Sequence, residues 1–226
     1  MAYTTIDDPS AYFKVQLYTG NGSGGHAITF DDTDTTMTPD LVWIKTRSNA
    51  SNHQLHNSLT AETYHYLETS TTDVLATTNS DALTAFGSDG FTIGSDGVIN
   101  ENTYTYVAWC WKAGTTSGKS TTSETITPSG YSINATSGFG VFTWSGSGSN
   151  GTITHGLGGD VSKGMIIVKR LNSTAGWQVY HQGTGATHTI YLNSTAVADD
   201  SDTVWNDTAP TSSVFTLGTN AGTNAS

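Results

Sequence analysis

The stretch Val15-Gln16-Leu17-Tyr18-Thr19-Gly20-Asn21-Gly22-Ser23 indicates a duplicated fold, because it returns as Val141-Phe142-Thr143-Trp144-Ser145-Gly146-Ser147-Gly148-Ser149. The copy lies 126 residues later, counted from Tyr18 to Trp144. Two further pairs keep the same order at a spacing of 124 residues: Leu41–Lys45 with Met165–Lys169, and Phe91–Gly94 with Phe215–Gly218. So small a shift over so long a span indicates two copies of one globular module, each well above the roughly 20–50 residues of solenoid and propeller repeats.

The second copy stops before the counterpart of the first copy's last strand. The first copy continues past Asn102 into the apolar run Tyr104–Trp111, whereas the second stops at Ser226, the position that matches Asn102. Three explanations are open: a fragment of a longer chain, a natural terminus with an open sheet edge, or a strand supplied by another chain. The fragment is favoured, because natural proteins usually cover or blunt an open edge.

The local pattern predicts an all-β protein. Turn-forming residues interrupt the apolar residues about every eight to twelve positions, a spacing typical of sandwiches and barrels. The predicted strands of the first copy are Phe13–Tyr18, Ala27–Phe30, Asp40–Lys45, Asn52–His56, Tyr64–Leu67, Phe91–Ile93 and Tyr104–Trp111. Those of the second copy are Phe139–Trp144, Thr152–His155, Gly164–Arg170, Trp177–Tyr180, His188–Leu192 and Val214–Leu217.

The strand Tyr104–Trp111 carries the strongest prediction about the core. Alternation puts Thr105, Val107, Trp109 and Trp111 on one face, and two Trp residues on one side predict that this face is directed toward the core. The domain boundaries follow from composition: a first repeat over residues 1–114, a Gly-, Ser- and Thr-rich linker over 115–127, and a second, truncated repeat over 128–226.

Composition excludes several functional classes. The net charge of −11 argues against nucleic acid and against anionic membrane surfaces, which both need clustered Lys and Arg. No apolar run reaches the roughly 18 residues of a membrane span, and Met1–Pro9 has neither the basic region nor the apolar stretch of a secretory signal. The single Cys110 cannot form an intramolecular disulfide, and its Trp neighbours predict a small buried hydrophobic residue.

The sequence points to no catalytic or metal site. The acidic sequence Asp31–Thr35 recurs as Asp199–Thr203, and Ca²⁺ is the cation that such loops could hold, but the two do not occupy equivalent places in the repeats, so a solvated acidic turn is favoured. Glycoside cleavage needs two carboxylates in a cleft, whereas most acids here lie in polar, turn-like strings. The His residues lack zinc spacing and Cys partners. We therefore predict no catalytic residues, no metal site and no cofactor, with calcium as the one alternative.

Carbohydrate binding is harder to dismiss. Trp and Tyr rings stack on sugars while short polar side chains bind hydroxyls, and the chain has ten Tyr and six Trp residues. Trp43, Trp109 and Trp111 lie in apolar strands, which predicts that they belong to the core. Trp205, flanked by polar residues in Asp202–Asp207, is the candidate for an exposed, carbohydrate-binding ring.

Several of these motifs carry a family resemblance. They are Tyr18–Ser23, Val42–Lys45, Ser88–Gly94 and Tyr106–Gly114 in the first copy, and His155–Gly158, Ile166–Arg170 and Trp177–His181 in the second. Through them the chain resembles the repeated β-domains of virion proteins from marine tailed bacteriophages. The resemblance implies two tandem concanavalin-like, jelly-roll β-sandwiches and a place in the virion after synthesis in the host cytoplasm. It also implies assembly with other virion proteins and with copies of itself, commonly as a homotrimer.

The resulting expectation is a non-enzymatic structural protein of a tail-fibre-like appendage that contributes to attachment to a host glycan or protein. The alternative is a head-decoration, connector or spacer protein that binds no receptor, and a less favoured one is a polysaccharide depolymerase. A binding module would expose aromatic residues in one loop cluster, whereas a spacer would have polar loops and large contacts between subunits. Fold alone does not separate them.

Overall fold

The computed structural model describes residues 6–32 and 34–226. Met1–Thr5 of the N-terminal segment and Thr33 of the acidic sequence lie outside the described residues. The described chain is all-β, as predicted: its strands form several antiparallel sheets, consistent with the β-sandwich class, and each of its three α-helices is a four-residue turn. No helix in these two ranges is long and apolar enough to cross a lipid bilayer.

The chain divides into two compact units. The first contains the residues up to Thr69 together with Leu75–Gly114, and the second contains Ser70–Val74 together with Thr115–Ser226. Within the second unit, the carbonyl of Thr72 accepts a hydrogen bond from the amide of Ala175 at 3.0 Å. The five residues Ser70–Val74 thus belong structurally to the unit that is formed mostly by the other half of the sequence.

The segment 115–127, treated above as a linker, belongs to the second unit. Thr115 forms an antiparallel bridge with Ile133. The amides of Thr125 and Ile126 both donate to the carbonyl of Thr152 at 3.0 Å, and Ile126 enters the hydrophobic core. The segment 115–127 is therefore packed against the second unit although its composition is typical of a linker. Its short polar side chains and backbone groups supply the hydrogen bonds that hold it there.

The described residues of the first unit form two antiparallel sheets. Its elements are β1 (Phe13–Thr19), β2 (His26–Thr29), β3 (Leu41–Thr46), β4 (Gln54–Asn57), β5 (Leu67–Glu68), β6 (Leu83–Gly87), β7 (Gly90–Ile93), α1 (Gly97–Asn100) and β8 (Thr105–Trp111). One sheet has the order β1-β8-β3-β4-β5 and the other the order β2-β7-β6. Strand β8, last in sequence, therefore lies between β1 and β3. The strand β6 was not predicted.

The core of the first unit takes side chains from both sheets. From the five-stranded sheet come Val42, Ile44, Tyr106, Ala108 and Cys110, and from the other come Ile28, Leu83, Phe91 and Ile93. The prediction for the face of β8 is wrong, because the core side carries the small residues Ala108 and Cys110, and Trp109 and Trp111 lie on the opposite side. Cys110 is buried, as predicted, and burial raises the pKa of its thiol.

Strand β1, at the edge of the five-stranded sheet, has its polar side chains on the buried side. Lys14 and Gln16 are buried, while Phe13, Val15 and Leu17 are exposed. Lys14 forms an ion pair with Asp32, and its Nζ lies 5.4 Å from the centre of the Phe30 ring. An inward charge on an edge strand opposes pairing with further strands.

The second unit has a less continuous arrangement. Its elements are β9 (Gly130–Asn134), β10 (Phe139–Thr143), β11 (Gly151–Thr154), β12 (Met165–Val168), β13 (Gln178–His181), β14 (His188–Tyr191), β15 (Asp199–Asp200), α2 (Asp202–Trp205), β16 (Val214–Leu217) and α3 (Ala221–Asn224). They form the sheets β10-β9, β11-β16 and β12-β13-β14-β15. The core includes Ile153, Val168, Tyr180, Phe215 and Leu217. The short strands β9 and β15 were not predicted.

A buried asparagine closes the same turn in both units. Asn100 at the end of α1 donates through Nδ2 to the carbonyls of Gly94 at 2.7 Å and Ser23 at 2.9 Å. Asn224 at the end of α3 donates to those of Gly218 at 2.8 Å and Ser149 at 2.7 Å. The two Asn residues are 124 positions apart, so the sequence repeat extends to equivalent hydrogen bonds.

Candidate functional site

The candidate site is the side of the five-stranded sheet that points away from the core, which we call the outer face. It is formed by Phe13, Val15 and Leu17 of β1, Val107, Trp109 and Trp111 of β8, and Leu41 and Trp43 of β3. These residues share one face because side chains alternate along a strand and because β8 pairs with both neighbours.

The register of the strands places side chains of the outer face directly opposite one another on neighbouring strands. Val15 pairs with Trp109, and Trp109 pairs with Trp43 on its other side. The ring centres of Trp43 and Trp109 lie 5.7 Å apart, a spacing typical of favourable aromatic contacts. Trp43 Nε1 donates to Thr69 Oγ1 at 3.0 Å. The aromatic rows are thus fixed by packing and by this hydrogen bond.

The edge of the outer face is strongly exposed. The side chains of Phe13, Val15 and Leu17 are 38%, 48% and 52% exposed, respectively. A contiguous exposed apolar patch on a soluble protein usually marks an interaction surface. The outer face therefore offers apolar contact area at this edge.

A second cluster is a buried polar network in the first unit. His56 is fully buried, and burial lowers its pKa to about 4. Gln54 accepts from His56 Nε2 at 3.1 Å and donates to Asp96 Oδ2 at 2.7 Å. Asp96 also caps α1 by accepting from the Val98 amide at 2.9 Å. Because an amide separates the imidazole from the carboxylate, the network positions α1 and does not resemble a catalytic dyad.

A third cluster is an ion pair in the second unit. Lys119 and Glu124 contact each other with both side chains 2% exposed, and Thr154 Oγ1 donates to Glu124 Oε2 at 2.6 Å. Burial alone would raise the pKa of the Glu124 carboxyl, but the hydrogen bonds from Lys119 and Thr154 and the Lys119 charge lower it. Lys119 Nζ also lies 5.5 Å from the centre of the Tyr131 ring.

An open cavity of about 260 Å³ lies beside this ion pair. It is lined by Thr115, Ser117, Gly118, Lys119, Ser120, Ile133, Ala135 and Gly156. Its lining has no aromatic ring, and the Lys119 ammonium is already engaged by Glu124 and Thr154. The lining therefore combines polar and apolar side chains without an aromatic ring or an unpaired charge.

The structure does not place Trp205 where the sequence predicted. Its side chain is 1% exposed and packs against Tyr180, with ring centres 6.1 Å apart. The polar neighbours that suggested a loop belong to α2 and its end, where Asn206 adopts the left-handed conformation with φ of 52°. The expectation of an exposed ring is wrong, and Trp205 has no free face for a sugar.

The acidic sequences have protein partners. Asp32 pairs with Lys14, and the amide of Asp31 donates to Gln16 Oε1 at 3.0 Å. Asp199 accepts from the Tyr191 hydroxyl at 3.2 Å. In residues 6–32 and 34–226, no three His, Cys, Asp or Glu side chains are grouped so that they could hold a metal ion.

Sequence comparison assigns the family. Residues 8–226 match the family described as Domain of unknown function (DUF7483). The chain belongs to this family. Comparison with curated proteins and with solved structures gave no significant match. The matched range of the DUF7483 family runs through both units.

The sequence analysis missed buried polar residues that occur at equivalent positions in the two units of the DUF7483 chain. Gln54 and Gln178 are both buried and stand 124 positions apart, as do Asn100 and Asn224. The spacing of the repeat could have identified them, because a polar residue kept at the same place in two diverged copies indicates a shared structural role. The outer face was missed because Trp residues were taken as core residues.

Proposed function

We propose that this chain is a non-enzymatic structural component of a virion that assembles with copies of itself through the outer face of its first unit. The observation that carries the proposal is that Phe13, Val15 and Leu17 are exposed beside the packed rings of Trp43 and Trp109. An interface core of this kind gains stability from removing apolar area from water, about 25 cal/mol per Å².

The distribution of aromatic residues favours assembly over receptor binding. Among the described residues, Phe13 is the only exposed Phe, Trp or Tyr, and it lies on a strand. A receptor-binding module would present aromatic rings on loops, and the loop candidate Trp205 is buried. A polysaccharide depolymerase would need an acid pair in a groove. The spacer, connector or decoration role is therefore preferred to host attachment.

Self-association tests the role of the outer face. In the Val15→Thr/Leu17→Thr variant, β-branched residues keep the strand propensity while removing apolar area. We expect sedimentation velocity to show an oligomer for the unchanged protein and a marked shift to monomer for this variant. Val197→Thr is the matched control, because Val197 is 87% exposed and lies outside the strands. An unchanged protein that stays monomeric at high concentration would contradict assembly through copies of itself.

Immunogold electron microscopy tests the place in the particle. Antibody raised against residues 1–226 would label the head or the connector if the role is decoration or spacing. Label confined to the tips of tail fibres would favour host attachment instead. Absence of label from every particle would mean that the virion assignment is wrong.

A further inference from the structure

One line of side chains on the outer face is apolar on every strand of the five-stranded sheet. It crosses the strands at right angles, from β1 at one edge to β5 at the other. We call this line the middle row, and the strand register gives its members as Val15, Trp109, Trp43, Leu55 and Leu67. Cross-strand neighbours of this kind are the units that stabilise a sheet, so the middle row is a fixed apolar stripe.

The rows on the two sides of the middle row differ in charge. Each lies two residues away along the strands. The first row contains Phe13, Trp111, Leu41 and Asn57, and the third row contains Leu17, Val107 and Lys45. Lys45 Nζ donates to the carbonyl of Thr46 at 2.9 Å. The third row is therefore cationic at β3, whereas the first row is uncharged.

The accessible apolar area of the outer face is concentrated on β1. In the middle row, Val15 is 48% exposed at one end and Leu67 is 6% exposed at the other. Phe13 and Leu17, the β1 members of the first and third rows, are also exposed. A second copy therefore removes the most apolar area from water when it covers β1 with exposed apolar side chains of its own.

The size of the outer face fits a small interface between two copies. Its three rows span about 14 Å along the strands and its five strands about 19 Å, at roughly 3.4 Å per residue and 4.8 Å per strand. With the width of the side chains added, two such faces bury on the order of 1,000 Å² together, the lower end of specific interfaces. We therefore expect a dimer that dissociates on dilution.

The rows limit how two copies can meet through the same face. Such copies are related by a two-fold axis between the sheets. If this axis is parallel to the strands, each row meets the same row of the partner, so Lys45 approaches the partner's Lys45 or covers the partner's Leu17. If the axis runs along the middle row, the first row covers the partner's third row and Leu17 meets the partner's Phe13. The two Lys45 residues are then about 14 Å apart along the strands.

We propose that two copies of this chain pack through their outer faces about a two-fold axis along the middle row. The strands of the two sheets are then antiparallel, within the roughly 30° that is typical of packed sheets. This arrangement brings the exposed β1 strands together and keeps the like charges apart. The inference rests on the proposed function, which gives the outer face as the interface but no arrangement of the copies. Its distinguishing contact is that of Val15 with the partner's Val15.

Cross-linking between single cysteines tests this contact. Val15→Cys keeps a small apolar side chain at the axis, and Thr19→Cys, on the same face of β1, is the matched control. In the proposed dimer the two Thr19 positions lie about 27 Å apart along the strands. With a short bismaleimide we expect at least tenfold more covalent dimer from Val15→Cys than from Thr19→Cys. Cys110 is buried, so the unchanged protein should form no covalent dimer.

Sedimentation velocity separates failure of this inference from failure of the proposed function. A Val15→Cys protein that associates but gives no more covalent dimer than Thr19→Cys would overturn the antiparallel arrangement, while assembly through the outer face would stand. An unchanged protein that stays monomeric at high concentration would contradict both.

Opposite charges at one position keep the test decisive if Val15→Cys weakens association. Val15→Lys and Val15→Glu should each be monomeric, because like charges would meet at the axis. An equal mixture of the two should associate at least tenfold more tightly than either alone, since unlike charges then meet. Thr19→Lys mixed with Thr19→Glu is the control and should associate no more tightly than either alone. A Val15 mixture that behaves like its separate components would overturn the arrangement.

Discussion

His56 and Tyr180 occupy the same position in the two units, and they respond differently to acid. His56 lies fully buried, with Nδ1 3.4 Å from the carbonyl oxygen of Thr63 and Nε2 facing Gln54. Tyr180 is also buried, and its hydroxyl donates to the carbonyl of Ser162 at 2.8 Å. Only the imidazole can gain a charge near neutral pH, so this position gives the first unit a pH response that Tyr180 does not give the second.

We predict that His56 makes the first unit less stable as pH falls from about 6.5 to about 4. The unfolded imidazole binds a proton below its ordinary pKa of 6.5, whereas the buried one does so only near 4. The unfolded state therefore binds more protons in this window, and stability falls with pH. The loss is about 3 kcal/mol at roughly 1.4 kcal/mol per pKa unit. Urea unfolding at several pH values should show a weaker pH dependence for His56→Gln, and parallel curves would contradict the prediction.

The ion pair of Lys119 and Glu124 gives a second prediction. Lys119→Met should lower the free energy of unfolding by about 3–5 kcal/mol, because it leaves a buried carboxylate without its cation. The double variant Lys119→Met/Glu124→Met should regain most of this loss, since it buries no charge. Lys163→Met, which removes an exposed pair with Asp160, should change nothing measurable in chemical denaturation. A double variant that is no more stable than Lys119→Met would show that Lys119 and Glu124 are not coupled.

At the scale of elements, alternation located most strands but not the direction of their faces. β8 is apolar on both sides, so periodicity separates Trp109 from Ala108 without showing which of them points inward. In β1 the apolar side chains point to solvent and the polar ones point inward, because Lys14 forms an ion pair with Asp32 of the same unit. The strand β6 was missed because Ala85 and Gly87 weaken its apolar signal. Trp205 was misplaced because its polar neighbours flank a one-turn helix and not a loop.

The turn after β1 provides a prediction at this scale. Gly20→Ala should destabilise the first unit by about 1–3 kcal/mol, because its Cβ would meet the backbone carbonyl of Glu101. Gly24→Ala is the control, since nothing lies within 4 Å of a Cβ at that position and alanine there restricts the unfolded chain. Thermal unfolding of both variants gives the comparison, and an equal effect of the two changes would refute the close approach.

At the scale of the whole molecule, duplication explains what the sequence could and could not reveal. The spacing of turn-forming residues predicted the all-β class, and the repeat predicted the positions of equivalent turns, because both depend on local sequence. It could not predict that Ser70–Val74 belongs to the second unit, because such a placement depends on tertiary packing. The candidate site was also beyond reach, since exposure of an apolar strand face depends on which side the second sheet covers.

The two units should unfold in separate steps in acid. Each has its own hydrophobic core, and the His56 effect belongs to one of them. We expect calorimetry near pH 5 to show two transitions, with the transition of the first unit moving to higher temperature as pH rises to 7. His56→Gln should make this movement smaller. A single transition with the same midpoint at every pH would contradict this expectation.

The inward direction of Lys14 and Gln16 on β1 bears on how such a protein stays in solution. An exposed apolar strand at the edge of a sheet can start fibril formation, because further chains can pair with its free edge one after another. Here the apolar side chains of β1 lie on the outer face, and the inward Lys14 of this edge strand opposes the addition of a further strand. Edge-to-edge addition is therefore opposed, whereas the assembly proposed above would use the outer face and not the edge.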